Sequence, residues 1–192
     1  VTNRIKNIVD ETLHKGWAKL SEIAFDYKMS AGNWVHKKRE SYNRGDGATI
    51  LLYNKKKKTV ILVKQFRISA FLNGCKPGFV IESCAGMLDV DSPEKCIIRE
   101  TEEETGYRIK EVKKIYEAYS SPGALTEKLY YFVAEYTDEM KVSKGGGLES
   151  EQEDIEVLEM PFKEAFQKIE TGEIIDAKTI ILLQYAQINN LV

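Results

Sequence analysis

One short segment of this chain is crowded with carboxylates: Arg99-Glu100-Thr101-Glu102-Glu103-Glu104-Thr105-Gly106. On a helix of 3.6 residues per turn, Glu100, Glu103 and Glu104 fall on one face. Like charges so placed repel and destabilise an isolated helix. A divalent cation turns that repulsion into binding. A hard ion such as Mg²⁺ takes carboxylate oxygens and leaves positions for water and substrate phosphates. The chemistry this face suits is hydrolysis of a diphosphate. The ion offsets the phosphate charge and lowers the pKa of a bound water, a base takes the proton, and in-line positioning supplies much of the rate. Glu100 and Glu104, one turn apart, are the favoured ligands. Glu103, on the same arc, is a weaker or second-metal ligand. Arg99 reads as an anchor that pairs with one of these carboxylates. The alternative for the whole face is a solvated acidic surface. Two histidines, His14 and His36, are too few for a His-based site. Cys75, Cys84 and Cys96 are irregularly spaced, with no CxxC pair.

A second acidic cluster, Leu148-Glu149-Ser150-Glu151-Gln152-Glu153-Asp154, follows Gly145-Gly146-Gly147. Three glycines give a mobile loop, and a mobile acidic loop can bring in a carboxylate once metal and substrate are present. Arg67, at a strand end near the acidic helix, has the planar fork that matches phosphate oxygens, or it forms a surface ion pair. Lys178 opens the last helix and can approach a phosphate or a sugar. Glu127 can accept hydrogen bonds from a sugar or from guanine N–H groups. Lys38-Arg39-Glu40 is either surface charge or a substrate contact. Trp17 and Tyr27 have rings on which a base can stack, or which pack in a core or interface.

These groups need a frame. Ser92-Pro93 is a helix start, with a capping hydroxyl and a proline whose missing N–H costs nothing there, and Gly106 is the stop. Residues 1–44 read as a small antiparallel sheet: Leu20–Tyr27 and Val35–Tyr42 as strands around a turn at Ser30–Asn33, with Ile8 onward open between strand and helix. Ala48–Tyr53 and Thr59–Phe66 form an apolar, β-branched hairpin around four lysines in a solvated turn. Ser69–Pro77 reads as a loop. Phe79–Cys84 is one strand leading through a glycine turn into the acidic helix. Strands follow at Val112–Tyr119, Lys128–Tyr136 and, edge-like, Ile155–Met160. Helices follow at Pro161–Glu170 and Ala177–Asn190. The tally is an α/β sandwich with helices on both sides of a mixed sheet: residues 45–192 as the hydrolase domain, and residues 1–44 as a small sheet that buries little alone and packs on that domain or on a second subunit.

Composition bounds the rest. The 192 residues are 43% hydrophobic and 30% charged, as in ordinary globular proteins. With 28 Lys+Arg against 30 Asp+Glu the net charge is −2, which gives no basic excess for nucleic acid. Apolar runs fall short of the roughly 20 residues a membrane span needs. The first residues have no apolar signal region, and the cysteines suit a reducing compartment, so the expected location is the cytoplasm.

The acidic segment also resembles the C-terminal half of the Nudix box, Gx5Ex7REUxEExGU, matching at Arg99, Glu100, Glu103, Glu104 and Gly106. It departs from that pattern twice. The first apolar slot holds Thr101, and the loop after Gly86 is one residue short, so Asp91 lies at the box-glutamate distance. The segments KRESYNRGDGATILLYN, VKQFR, IESCAGMLD, SPGALTE, GGGLE and EDIEVLEMPF are similar to those of bacterial GDP-mannose pyrophosphatases within the Nudix family. The likeness runs from about Ile8 to Leu183.

The resemblance implies a Nudix α/β/α sandwich and Mg²⁺-dependent hydrolysis of GDP-mannose to GMP and mannose 1-phosphate. It also implies a homodimer with the N-terminal sheet swapped between copies. It assigns a backbone carbonyl at Ala85 to the metal shell with Glu100, Glu104 and Glu153. It brings Trp17, Lys38, Arg39, Glu40, Arg67, Ala85, Gly86, Met87, Glu104, Glu127, Gln152, Glu153 and Lys178 to the nucleotide sugar. In ADP-ribose-type relatives the late loop supplies a metal ligand or the catalytic glutamate. Set against the family's loop-to-strand junction, the segment Glu153–Val157 places Glu153 there first and Glu151 second, and a loop about two residues longer than the family's leaves both as candidates. The catalytic candidates are thus Glu153, Glu151 and Glu103. The alternatives are hydrolysis of ADP-ribose or another nucleoside-diphosphate sugar, and, in a different class, a silent nucleotide-sugar-binding regulator. Intact Glu100 and Glu104 argue for the enzyme. An RNA-processing hydrolase would want a basic groove.

Overall fold

A computed structural model describes residues 3–88 and 90–192, with Glu151 described by its backbone only. The chain divides into two compact units: Val1–Asp46 with Ala118–Lys128, and Gly47–Glu117 with Leu129–Val192.

The first unit is built on an antiparallel sheet in the order β1 (Ile5–Lys15), β2 (Lys19–Lys28), β3 (Trp34–Asn43). Ile8, ambiguous by pattern, lies in β1. Register shifts interrupt its pairing with β2 after Lys6 and after Thr12, and Asn7 adopts φ 55°. Irregularity of this kind is common in edge strands. Every residue of β1 is exposed, Ile5, Ile8, Val9 and Leu13 among them. At the far edge, Tyr42 bridges to Leu125, joining β3 to the 118–128 segment.

The second unit is an α/β/α sandwich on a mixed sheet. Its elements are β4 (Gly47–Asn54), β5 (Thr59–Phe66), α1 (Ile68–Leu72), β6 (Phe79–Glu82), β7 (Cys84–Met87), α2 (Pro93–Thr105), β8 (Lys113–Tyr119), β9 (Lys128–Glu135), β10 (Glu156–Pro161), α3 (Phe162–Glu170) and α4 (Ala177–Ile188). The sheet order is β10-β5-β4-β9-β8, with β6 on β5 and β7 on β4; β4 and β9 run parallel. All eight residues of β4 are buried, as expected of a central strand covered on both faces. Ala48, Ile50 and Leu52 join Ile61, Ile97, Tyr107, Phe132 and Tyr136 in the core shared with α2. Ile97 is fully buried there; truncating such a side chain to alanine costs about 2–5 kcal/mol. Thr49, between those positions, points to the face where α4 brings Thr179, and the Ser83 hydroxyl bonds with both. Among the described residues no helix is long and apolar enough to cross a membrane.

Three features differ from the reading of the bare sequence. The stretch after Arg67 winds into the short helix α1, closed by the Phe71 N–H to the Arg67 carbonyl at 3.0 Å and Asn73 to Ser69 at 3.1 Å. The strand beginning at Phe79 breaks at Ser83: β6 pairs with β5, and β7 switches to β4. Gly86 lies inside β7 and makes no turn. The lysine turn at 55–58 is exposed, as read, with Lys55 paired to Glu135 and Lys57 to Asp138 and Glu159.

Candidate active site

Helix α2 begins and ends as its sequence dictates. The Ser92 hydroxyl accepts from the Lys95 N–H, Pro93 takes the first turn, and Gly106 caps the end in the left-handed conformation at φ 78°. Thr101, in the slot where the box has an apolar residue, is fully buried; its hydroxyl donates to the Ile97 carbonyl at 2.6 Å, so no polar group is stranded. Asp91, at the box-glutamate distance, is exposed.

Strand β7 runs beside one stripe of this helix, stepping one residue for each helical turn. The Ala85 N–H donates to Glu104 Oε2 at 3.3 Å. Gly86 lies against Glu100, so closely that a Cβ there would collide with the carboxyl group. The Met87 carbonyl accepts from Cys96 Sγ at 3.3 Å. Glu104, Glu100 and Cys96 are spaced by four, so a short extended segment can touch all three. Gly86 is therefore a matter of close approach, because any side chain would displace Glu100.

The electrostatics of this face are those of crowded acids. Glu104 is 2% exposed, and its carboxyl is pushed up to about 8. Burial is the main cause, the Glu100 and Glu153 charges add to it, and hydrogen bonds from the Cys84 thiol and the Ala85 N–H offset part of it. Glu100 is also raised, by burial first, with Arg99 opposing and Glu103 and Glu153 adding. Arg99 straddles the helix surface, bonding Glu100 at 2.8 Å and Glu103 at 2.6 Å. It is the anchor its position suggested.

The glycines that lead into the late acidic loop bond to the end of α2. The Gly146 N–H donates to the Glu104 carbonyl at 2.8 Å and the Gly147 N–H to the Glu103 carbonyl at 3.1 Å. Carbonyls at a helix C-terminus lack partners within the helix, and the glycine loop supplies them. Gly147, at φ +83°, leaves room for the Glu153 carboxylate, which a Cβ would strike. That carboxylate accepts the Leu148 N–H at 3.1 Å. The left-handed Gln152, at φ 58°, turns the chain back between them. Glu153 is thereby held where its charge is felt by both Glu100 and Glu104. The side chain of Glu151 lies outside the described residues.

Arg67 and Lys178 meet on a residue the sequence reading did not single out. Arg67 donates Nε to Glu82 Oε1 at 2.7 Å and Nη2 to Oε2 at 3.0 Å; Lys178 Nζ donates to Oε2 at 2.6 Å and to Asp176 Oδ1 at 3.0 Å. Burial pushes Glu82 up, but Arg67 and Lys178 outweigh it and hold the carboxyl below the usual range. A hydroxyl network supports the neighbouring strand break. Thr179 Oγ1 accepts the Ser83 N–H at 2.6 Å and lies 2.6 Å from Asp176 Oδ2, and the hydroxyls of Ser83 and Thr49 bond at 2.7 Å. The one signal for Glu82 in the sequence is an acid placed in an otherwise apolar strand, Phe79-Val-Ile-Glu82.

The remaining candidates belong to the first unit. Trp17, 72% exposed, sits at the β1–β2 turn. Lys38 pairs with Glu22 at 2.6 Å, Arg39 donates to the Lys38 carbonyl at 2.7 Å, and Glu40 lies opposite Glu22 in the sheet register. Tyr27 is flanked by Arg4 and Lys37, whose cations lie over its ring. Glu127 is buried, its carboxylate taken by Arg44 and by the Ser120 hydroxyl, the latter at 2.6 Å.

Could this face hold a metal? Among the described residues no three His, Cys, Asp or Glu side chains are gathered tightly enough to hold an ion. The donor chemistry nevertheless fits a hard divalent cation: Glu100, Glu104 and Glu153 offer oxygens only, and the proton affinities of Glu100 and Glu104 are raised, as those of acids awaiting a positive charge are.

The chain is similar to known proteins along its length. Residues 43–183 match the NUDIX domain model, and residues 4–42 match the GDP-mannose pyrophosphatase NudK N-terminal domain. The chain is 50% identical over 192 residues to the GDP-mannose pyrophosphatase of Shigella dysenteriae serotype 1 (strain Sd197), covering all of both chains. It is 50% identical over 191 residues to that of Escherichia coli (strain K12), covering 100% of this chain and 99% of the relative. The protein of Escherichia coli O1:K1 / APEC with the same name is 49% identical over the same span. With the helix that bears the acids inside the matched region and likeness continuing through both units, the chain belongs to the Nudix family of pyrophosphohydrolases.

Proposed function

We propose that the protein hydrolyses the diphosphate of a nucleotide sugar with Mg²⁺, taking GDP-mannose to GMP and mannose 1-phosphate. What carries the reading is identity of about one half with GDP-mannose pyrophosphatases along the entire chain, N-terminal unit included. In it, Glu100, Glu104, Glu153 and the Ala85 carbonyl hold Mg²⁺, which offsets the diphosphate charge and polarises its P–O bonds. Glu153, fixed through the Leu148 N–H, takes the proton of the attacking water as its oxygen bonds to phosphorus and the bridging P–O bond breaks. Glu151 is the second candidate for that proton, and Glu103 supports the acidic face. Arg67 and Lys178 orient the diphosphate, beside the backbone of Ala85, Gly86 and Met87. Trp17, Lys38, Arg39, Glu40, Glu127 and Gln152 are assigned to the nucleotide sugar by the family resemblance.

The protein also works as a homodimer in this reading, with the N-terminal sheet as its interface. The support is β1, whose Ile5, Ile8, Val9 and Leu13 stand exposed on a single strand, an arrangement that favours burial against another chain. The test of the reaction is a hydrolysis screen of nucleoside-diphosphate sugars and ADP-ribose with Mg²⁺, scored by kcat/KM. GDP-mannose should lead it and release GMP. No release at any divalent-metal concentration removes the proposal.

A further inference from the structure

We propose that Glu82 is a positioning residue: it gathers Arg67 and Lys178 into one two-cation clamp that receives a diphosphate. The inference goes beyond the proposed function by naming the group that sets the clamp, and it rests on that reading for the diphosphate as ligand. Arg67 comes from the end of β5, Glu82 from β6 and Lys178 from the first turn of α4. Sheet pairing sets β5 beside β6, and the Thr179–Ser83 contact sets the start of α4 beside them; the Glu82 carboxylate is what joins the two cationic side chains at one point. It takes two edges of the Arg67 fork, which fixes the plane of the guanidinium. It takes Lys178 on the same oxygen that binds Arg67 Nη2, and Asp176 steadies the ammonium from the other side.

The carboxylate is buried while the Arg67 side chain is 45% exposed, so the anchor lies within and the guanidinium reaches outward. Among the described residues the Nη1 edge of Arg67 has no hydrogen-bond partner, leaving a donor edge for a ligand oxygen. Glu82 is also only three residues before Ala85, whose N–H meets Glu104. One short stretch of chain thus ties the clamp to the acidic helix. Without Glu82, two cations would face each other on a partly buried surface and would separate into solvent.

The test is a double-substitution cycle on the full chain, read as the affinity for inorganic pyrophosphate by calorimetry. Pyrophosphate carries the diphosphate without base or sugar. Glu82→Gln and Arg67→Ala should each weaken binding about tenfold. The double variant should be weakened by clearly less than the product of the two single losses, because Glu82 acts in part through Arg67, and what remains is the release of Lys178. Independent, multiplying losses overturn the proposal, as does unchanged affinity in Glu82→Gln or a wild-type chain that does not bind pyrophosphate. A purely structural role would lower the melting temperature without this coupling. If Glu82→Gln does not fold, Arg67→Lys decides. It keeps the charge and loses the two-edged contact, so about tenfold weaker binding is expected, and equal binding refutes the clamp. Hydrolysis of GDP-mannose by wild type is scored separately, so a different sugar substrate would leave the role of Glu82 standing.

Discussion

Replacing Glu104 with glutamine should stabilise the metal-free protein at alkaline pH while removing its activity. The carboxyl of Glu104 rises from an ordinary 4.5 to about 8 because it is buried beside Glu100 and Glu153. Between pH 4.5 and 8 the folded protein therefore keeps a proton that the unfolded chain gives up, so stability falls as pH rises through that window. The full difference corresponds to about 5 kcal/mol. Relaxation around a charged site trims it, leaving an expected gain on the order of 2–4 kcal/mol for Glu104→Gln at about pH 8.5. For a chain of this size that is roughly 5–15 °C in Tm. At about pH 5 folded wild-type Glu104 is neutral and only about 1 kcal/mol of the difference remains, so the two proteins should melt within a few degrees of each other. The neutral amide keeps an oxygen for the Ala85 N–H, so the local fold survives. The assay is thermal unfolding in EDTA from about pH 5 to about pH 9, repeated with Mg²⁺. Mg²⁺ should raise the wild-type Tm at the alkaline end and leave the variant nearly unmoved. A difference between the two proteins that is the same at both ends of the range would refute the reasoning, because it would mean that Glu104 does not titrate in the window.

Three further outcomes follow from particular contacts. Gly86→Ala should push the Glu100 carboxylate aside, abolishing the Mg²⁺-induced rise in Tm while the far-ultraviolet spectrum stays native; an unchanged Mg²⁺ response would count against Glu100 as a ligand. Gly147→Ala, strained at φ +83° and blocked by Glu153, should lower kcat by about tenfold or more and cost roughly 1–3 kcal/mol of stability; wild-type kcat would remove Glu153 from the reaction. Ile8→Glu with Val9→Glu should give a monomer by light scattering, since both side chains stand exposed on β1; a dimer that persists would place the interface elsewhere.

The sequence by itself determined the parts whose physics is local. Ser92, Pro93 and Gly106 delimit α2 because caps and left-handed stops act within one turn. The spacing of Glu100, Glu103 and Glu104 puts them on one face because a helix has a fixed period. Continuous apolar runs marked β4, β5 and β9, because strands covered on both faces are apolar throughout, and the mix of apolar and acidic residues in Glu156–Pro161 marked the edge strand. Tertiary structure alone decided what depends on residues far apart in the chain. The break at Ser83 exists because Thr49 and Thr179, 34 and 96 residues away, satisfy its polar groups. The triple-glycine loop was readable as flexible; that it caps α2 and delivers Glu153 depends on carbonyls some forty residues earlier. Glu82 read as one acid in an apolar strand until α4 brought Lys178 to it. The acidic helix was written in one stretch of chain, but the displacement of its proton affinities was not. Composition states how many charges a segment holds, and only packing states how much water they lose.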